Sequence, residues 1–355
     1  MKILLVTFSD NADHQDITFS MYEQLYDEGS AWLMCIKEPK VSVKGLERVS
    51  FVDCPSRPGV CKKTFDLKTL FQTIKWIKEQ KFDVVFFESL HVWNLPIMIL
   101  KNKNTRVFQM IHDLIPHEGD RQAKMVSLMN KVVCILANKI VLCNEKYLEV
   151  ATEMYGVPKG KLTHIDMWRR FPEYTEPEYT KRILFFGRIN PYKGIENLIE
   201  IVKMCPEIQF DVVGRVDDEM IEMVAKLEKE PNVTLQNGYV TGEAMETAFV
   251  NCDWVILPYK SATQSGVVID AYRYSRPVIA FDVGAISEQI KEGVSGYLIP
   301  EGTVDSFADK LKEVVVMQRE EYKVLCKQAY EFGSQKYAAI GAKERFMRMI
   351  ECVVR

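Results

Sequence analysis

The chain has 355 residues, 47% of them apolar and 27% charged, with a formal net charge of −3. That length suits two domains, and the weakly acidic balance excludes the global basic field that nucleic-acid binding calls for. Nine cysteines, an odd count at irregular spacing without a CxxC, read as the reduced core thiols of a cytoplasmic protein.

The opening run, Met1-Lys-Ile-Leu-Leu-Val-Thr-Phe8, predicts a strand. It is too short for a signal peptide and lacks a small-residue cleavage site. Further apolar, β-branched runs predict strands at 31–36, 83–87, 105–111 and 138–143, then at 182–186, 209–213, 233–235, 253–257 and 277–281. Helical periodicity falls between them, at 65–79, 120–136, 194–204, 217–229 and 303–316. Such alternation predicts parallel sheets with helices on both faces, an α/β chain. The most apolar stretch, Phe82 to Leu100, is interrupted by Asp83, Glu88, His91 and Asn94, so no membrane span is expected.

Residues 171–180 break the pattern with two prolines, local acidity and no periodicity. The expected organisation is a first domain at 1–172, a linker at 173–181 and a second domain at 182–335. A terminal helix follows at 336–355, with Ala338, Ile340, Phe346, Met349, Ile350 and Val353 as its apolar positions, expected to cross back and brace the first domain. Two doubly wound, Rossmann-like domains joined in this way would face each other across a cleft at the carboxyl ends of their strands.

Two loops carry the chemistry. The first runs Phe186-Gly187-Arg188-Ile-Asn-Pro191-Tyr-Lys193-Gly194, and the second Pro258-Tyr259-Lys-Ser-Ala-Thr263-Gln264-Ser265-Gly266-Val267. Arg188 offers a forked pair of donors and Lys193 a point charge. Ser265 and Gly266 stand where a helix opens, so the N–H groups of Ser265, Gly266 and Val267 meet the same edge. Asp270, one turn into that helix, is a candidate for ribose hydroxyls. Together these residues suit a diphosphate on a nucleotide-linked leaving group. Read separately, each also has a plain explanation, a basic surface loop and a serine helix cap.

His112 ends an apolar strand, and Pro116-His117 follows as a bracing turn. The five histidines lack a paired helical spacing, so no metal site is expected. Lys62, Lys63, Lys68, Lys75, Lys78 and Lys81 surround Leu67, Leu70, Phe71, Ile74 and Ile77 at helical spacing. They fit either an ordinary surface helix or peripheral contact with an anionic membrane leaflet. The segment from Ala123 to Lys131 is a weaker candidate of the same kind.

The second half resembles the GT-B-fold retaining glycosyltransferases, in particular glycosyltransferase family 4. The resemblance is carried by Phe186–Gly194, Asp211-Val-Val-Gly214, Asn237-Gly-Tyr-Val240, Gly266–Ala271 and Arg276-Pro-Val-Ile-Ala-Phe-Asp-Val-Gly284, closing with Glu288, Gly293 and Gly296. The first half matches through Ile111-His112-Asp113. The resemblance implies GT-B architecture and transfer of a sugar from a nucleotide-sugar to a glycan or lipid-linked acceptor with retention of configuration, in polysaccharide biosynthesis. It implies Arg188 and Lys193 on the donor diphosphate, with the amides of Ser265, Gly266 and Val267. It further implies Asp270 on the ribose and Gly238, Tyr239 and Val240 at the base. Thr263 and Gln264 would lie near the transferred sugar, His112 would face that sugar, and no metal or other cofactor would be needed.

Two departures accompany it. The family's two glutamates, seven residues apart, are here Thr263 and Asp270, and the glycine-rich turn after the first strand is replaced by Ser9-Asp-Asn-Ala-Asp13-His14. The alternatives are a catalytically degenerate nucleotide-sugar-binding scaffold and a nucleotide-sugar epimerase. A dinucleotide oxidoreductase is disfavoured, because no GxGxxG follows the first strand.

Overall fold

A computed structural model describes residues 1–115, 123–240 and 242–354. The chain divides into two compact units, Met1–Arg170 with Tyr337–Arg355, and Phe171–Lys336.

In the first unit the elements run β1 (Ile3–Thr7), α1 (Ala12–Tyr26), β2 (Ala31–Ile36), β3 (Val49–Val52), α2 (Leu67–Gln80), β4 (Val84–Phe87) and α3 (Asn94–Leu100). They continue β5 (Arg106–Ile111), α4 (Ala123–Leu136), β6 (Lys139–Leu142), α5 (Tyr147–Tyr155) and β7 (Leu162–His164). The strands form a parallel sheet in the order β3-β2-β1-β4-β5-β6-β7. Strand alternation sorts the core. Leu4, Val6, Val85, Phe87, Val107 and Ile140 point to one face, where Leu70, Ile74 and Ile77 of α2, Ile97 and Met98 of α3, and Met129 and Val133 of α4 cover them.

The second unit contains β8 (Arg182–Phe186), α6 (Ile195–Met204), β9 (Gln209–Gly214), α7 (Ile221–Leu227), β10 (Val233–Asn237), α8 (Glu243–Val250) and β11 (Trp254–Leu257). It ends with α9 (Gly266–Arg273), β12 (Val278–Phe281), β13 (Gly296–Ile299), α10 (Val304–Val314) and α11 (Arg319–Tyr337). Its parallel sheet has the order β10-β9-β8-β11-β12-β13. Arg276, part of the family-like motif, is structural: its buried guanidinium donates to the carbonyls of Phe249 (2.8 Å) and Val250 (2.6 Å), which end α8.

The last helix, α12 (Ala339–Val354), belongs to the first unit. Phe346 sits with its ring 5.0 Å from that of Phe86 and 5.9 Å from that of Trp168, on the sheet face opposite α2–α4. Residues 171–180, the break in the pattern that leads through the linker expected at 173–181, lie along the second unit. Phe171 and Tyr174 pack on the Tyr330 ring (6.0 and 5.4 Å), and the Tyr179 hydroxyl donates to the carbonyl of Val315 at 2.5 Å. The segment has no regular secondary structure, and these half-buried rings hold it against the unit.

Both sheets are α/β and doubly wound, as expected. The strand order reverses between β1 and β4 in one and between β8 and β11 in the other. In open sheets of this type the crevice at that switch point, beyond the strands' carboxyl ends, takes the ligand.

Candidate functional site

The second unit's two chemistry-bearing loops leave β8 and β11, the strands on either side of its switch point. Gly187 leaves β8 with φ of 100°, a conformation open to glycine. A single 3-10 turn, Pro191–Lys193, follows, and Gly194 opens α6 at φ 68°. This path folds the Lys193 side chain back under the strand end. Its ammonium is buried, donates to the Phe186 carbonyl at 2.8 Å and lies 5.2 Å from the centre of the Tyr259 ring.

The loops interlock. Lys260 N–H donates to the Tyr192 carbonyl (2.8 Å) and the Asn197 amide to the Pro258 carbonyl (2.9 Å), which presses against Gly194 so closely that no Cβ would fit. A Cβ placed on Gly187 would lie 2.5 Å from Lys193 Nζ and 3.6 Å from Val267 Cγ2. One spot therefore gathers a glycine, an ammonium and the first turn of α9. That is the composition of an anion site, because the helix start presents N–H groups outside the intrahelical ladder.

Ser265 occupies the N-cap position of α9. Its N–H, expected among the phosphate donors, is instead held by Gln289 Oε1 at 2.7 Å, while Gln289 Nε2 donates to the Ser265 carbonyl at 3.0 Å. The clamp fixes the helix start and leaves the amides of Gly266 and Val267 as its leading donors. Thr263 is buried and Gln264 half-buried in the same loop. The loop is braced where Ala285 N–H donates to the Ala262 carbonyl at 3.1 Å.

Arg188 turns its fork to Asp217, with Nε–Oδ1 and Nη2–Oδ2 both at 2.8 Å. Asp270 is buried and accepts from Arg273 Nη1 at 2.9 Å. Gly238, Tyr239 and Val240 follow β10, the edge strand two places from β8, and the Tyr239 ring is exposed. Lys193 and Val267 are thus brought together with Gly187. Arg188 and Asp270 each face a partner of opposite charge, and His112 belongs to the other unit.

The first unit has its own polar centre at its switch point. Glu88 follows β4, His112 follows β5, and His14 lies in the first turn of α1. Glu88 Oε1 lies 2.6 Å from His14 Nδ1 and 2.7 Å from His112 Nε2, while Thr7 Oγ1 donates to Glu88 Oε2 at 3.2 Å. The Arg57 guanidinium touches His14 Nε2. A guanidinium only donates, so that nitrogen accepts and His14 carries its proton on Nδ1, towards Glu88. Burial lowers the His14 pKa and the neighbouring Arg57 adds to this, against the pull of Glu88. Burial alone would also lower His112, but Cys143 and Glu88 raise it to about 10. For Glu88 burial works upwards, yet the two imidazoles hold its carboxyl well below the ordinary range.

Sequence spacing gave no hint that three separate elements bring His14, Glu88 and His112 within 4.8 Å of one another. The set is internally bonded. Both imidazole–carboxylate distances are those of N–H donors on a shared oxygen, and a guanidinium already fills the approach at His14. Glu88, Arg57 and Gln289 are the residues that sequence reasoning missed. Glu88 did carry a signal, an acid placed directly after an apolar strand at a carboxyl edge. Pro116 and His117 lie outside the described residues.

Comparison with known proteins sets this geometry in context. Residues 166–332 match the family model for glycosyl transferases group 1. An uncharacterised 41.2 kDa protein in the cps region of Klebsiella pneumoniae is 25% identical over 311 residues, 79% of this chain and 82% of that one. The GDP-mannose:glycolipid 4-beta-D-mannosyltransferase of Xanthomonas campestris pv. campestris is 24% identical over 210 residues, 56% of this chain and 57% of that one. Among solved structures, Anabaena HepE in complex with UDP and glucose superposes with a TM-score of 0.75 at 15% identity, covering 99% of this chain and 100% of that one. The structural likeness bears on the fold, and the sequence matches support a glycosyltransferase.

Proposed function

We propose that the chain is a retaining glycosyltransferase of the GT-B type, similar to family 4, which takes a sugar from a nucleotide-sugar donor to a glycan or lipid-linked acceptor. The observation that carries this reading is the convergence of Gly187, Lys193 and Val267 at the switch point of the second sheet. The relative in a cps region and the glycolipid mannosyltransferase support a role in polysaccharide or glycolipid assembly.

In this reading the glycosidic C–O bond breaks with its electron pair on the diphosphate. The Lys193 ammonium and the Gly266 and Val267 amides are in place before reaction, so they stabilise the growing charge more than the ground state. Arg188 joins them by exchanging Asp217 for phosphate oxygens, an exchange its exposed position permits. These groups take the charge-neutralising role that a divalent ion plays elsewhere, and nucleotide binding is expected to survive EDTA. Asp270 serves the ribose, Gly238, Tyr239 and Val240 the base, and Thr263 and Gln264 the sugar. By resemblance, His112 also serves the sugar.

The test is calorimetry with a panel of nucleoside diphosphates and nucleotide-sugars, followed by NMR of the product's anomeric configuration with the cognate donor. Absence of any nucleotide binding sinks the reading. Binding without transfer to any acceptor makes the protein a scaffold, and an altered sugar released without acceptor makes it an epimerase.

A further inference from the structure

The helical layer α2–α3–α4 of the first unit has an unusual outer surface. Its inner side chains pack together on one sheet face. Its outer ones are those that a water-facing layer would avoid. Over residues 124–136 of α4 the exposed residues are Lys124, Leu128, Lys131 and Ile135, a single stripe at i, i+4, i+7 and i+11. Leu128 is 63% exposed and Ile135 68%. In α2 the exposed stripe Leu67, Phe71, Lys75, Lys78, at i, i+4, i+8 and i+11, also joins two apolar residues to two lysines, with Phe71 56% exposed. Between them α3 exposes Ile99, at 64%, and Leu100. The turn before α2 adds exposed Lys62 and Phe65.

Charge singles out the same layer. Over α2, α3 and α4 the sequence has five lysines (Lys68, Lys75, Lys78, Lys124, Lys131) and one acid, Glu79. The whole chain carries −3. The neighbouring α5, with Glu149 and Glu153 and no base, does not share this character.

We propose that the α2–α3–α4 face is a docking surface for an anionic phospholipid bilayer. Exposed Phe, Leu and Ile side chains enter the headgroup region while the interleaved lysines meet phosphate groups, the arrangement of an interfacial helix. Among the described residues no helix is long and apolar enough to cross a membrane, so contact of this kind is peripheral. A second copy of the chain fits less well: a symmetric contact would set lysine against lysine, and interface centres are poor in lysine. The proposal does not rest on the nucleotide site, although it would bring a transferase to lipid-linked acceptors.

The experiment is co-sedimentation of the full chain with phosphatidylcholine vesicles, with and without phosphatidylglycerol. The wild type should pellet only with the anionic vesicles, and less as salt rises. Lys68→Ala/Lys131→Ala should lose affinity about fivefold per lysine. Leu128→Ser/Ile135→Ser should lose it at unchanged charge. All these side chains are exposed, and thermal unfolding checks that the variants are folded. Failure of the wild type to bind, or wild-type binding by both variants, would overturn the proposal. So would concentration-dependent dimerisation in ultracentrifugation that the same substitutions abolish, since the face would then belong to a second copy.

Discussion

Lys193 and Gly187 share one space: the ammonium lies 2.5 Å from where a Cβ on Gly187 would stand. The missing side chain is what lets the cation reach the end of β8 and the start of α9. Lys193→Ala should reduce turnover by about 10²–10³-fold and weaken nucleoside diphosphate binding, with circular dichroism unchanged. Gly187→Ala should weaken binding too, because the new methyl displaces Nζ and the backbone at φ 100° disfavours a side chain. Wild-type affinity in both variants would remove the phosphate assignment.

Arg188 and Asp217 make a separable prediction. If the fork leaves Asp217 for phosphate, Arg188→Ala weakens nucleotide binding, whereas Asp217→Asn leaves it equal or tighter. Titration of both variants with the same nucleoside diphosphate decides this. A drop in affinity for Asp217→Asn would mean that the pair itself builds the site.

The Gln289 clamp should matter for stability as well as binding. Gln289→Ala strands the Ser265 N–H and carbonyl in a buried position, at a cost of about 1–3 kcal/mol, and loosens the first turn of α9. Urea denaturation reads the first effect and calorimetry with nucleotide the second. A variant as stable as the wild type would show that the loop holds itself.

The first unit's histidines predict a stability maximum near neutral pH. His91 is buried, donating from Nε2 to the Pro55 carbonyl (3.0 Å) and accepting the Trp93 N–H on Nδ1 (3.0 Å), and burial lowers its pKa to about 4. The unfolded chain takes up that proton first, so stability falls as pH drops from about 6.5 to about 4, by about 3 kcal/mol. His14, also lowered, adds to this limb. His112 works oppositely: raised to about 10, it contributes stability that is full below about pH 6.5 and lost as pH rises through that higher value. His91→Gln should flatten the acid limb in urea denaturation across a pH series; an unchanged limb would exonerate His91.

Glu88→Gln should bring the His112 titration down, read on the imidazole Cε1–H signal by NMR, because the carboxylate shared by the two rings is gone. Removing one partner of a buried pair should also cost about 3 kcal/mol. An unmoved His112 titration would mean that Cys143, and not Glu88, sets its charge.

Much of the fold was legible. Strands β1 and β8 are continuous apolar runs over Ile3 to Val6 and Ile183 to Phe186 because both their faces are buried. Short or half-polar strands escaped. β3 carries Ser50 and an exposed Phe51, β7 spans three residues, and β13 begins at a glycine. Helix α1 escaped because buried polar residues such as Gln15, Thr18 and Ser20 blur its apolar face. Of the candidate site, Lys193, Gly266 and Val267 were legible because each sits beside a strand end or helix start that local sequence marks.

The sequence by itself determined the alternation of strands and helices, the two basic and glycine-bearing loops and the opening of α9, since these depend on neighbours within a few residues. Tertiary structure decided which side chains meet. The Gln289 clamp on Ser265, the Asp217 partner of Arg188 and the carboxylate of Glu88 between His14 and His112 join positions 24, 29, 74 and 24 residues apart. A hydrogen bond reaches about 3 Å, and only the packed sheets bring such distant positions that close.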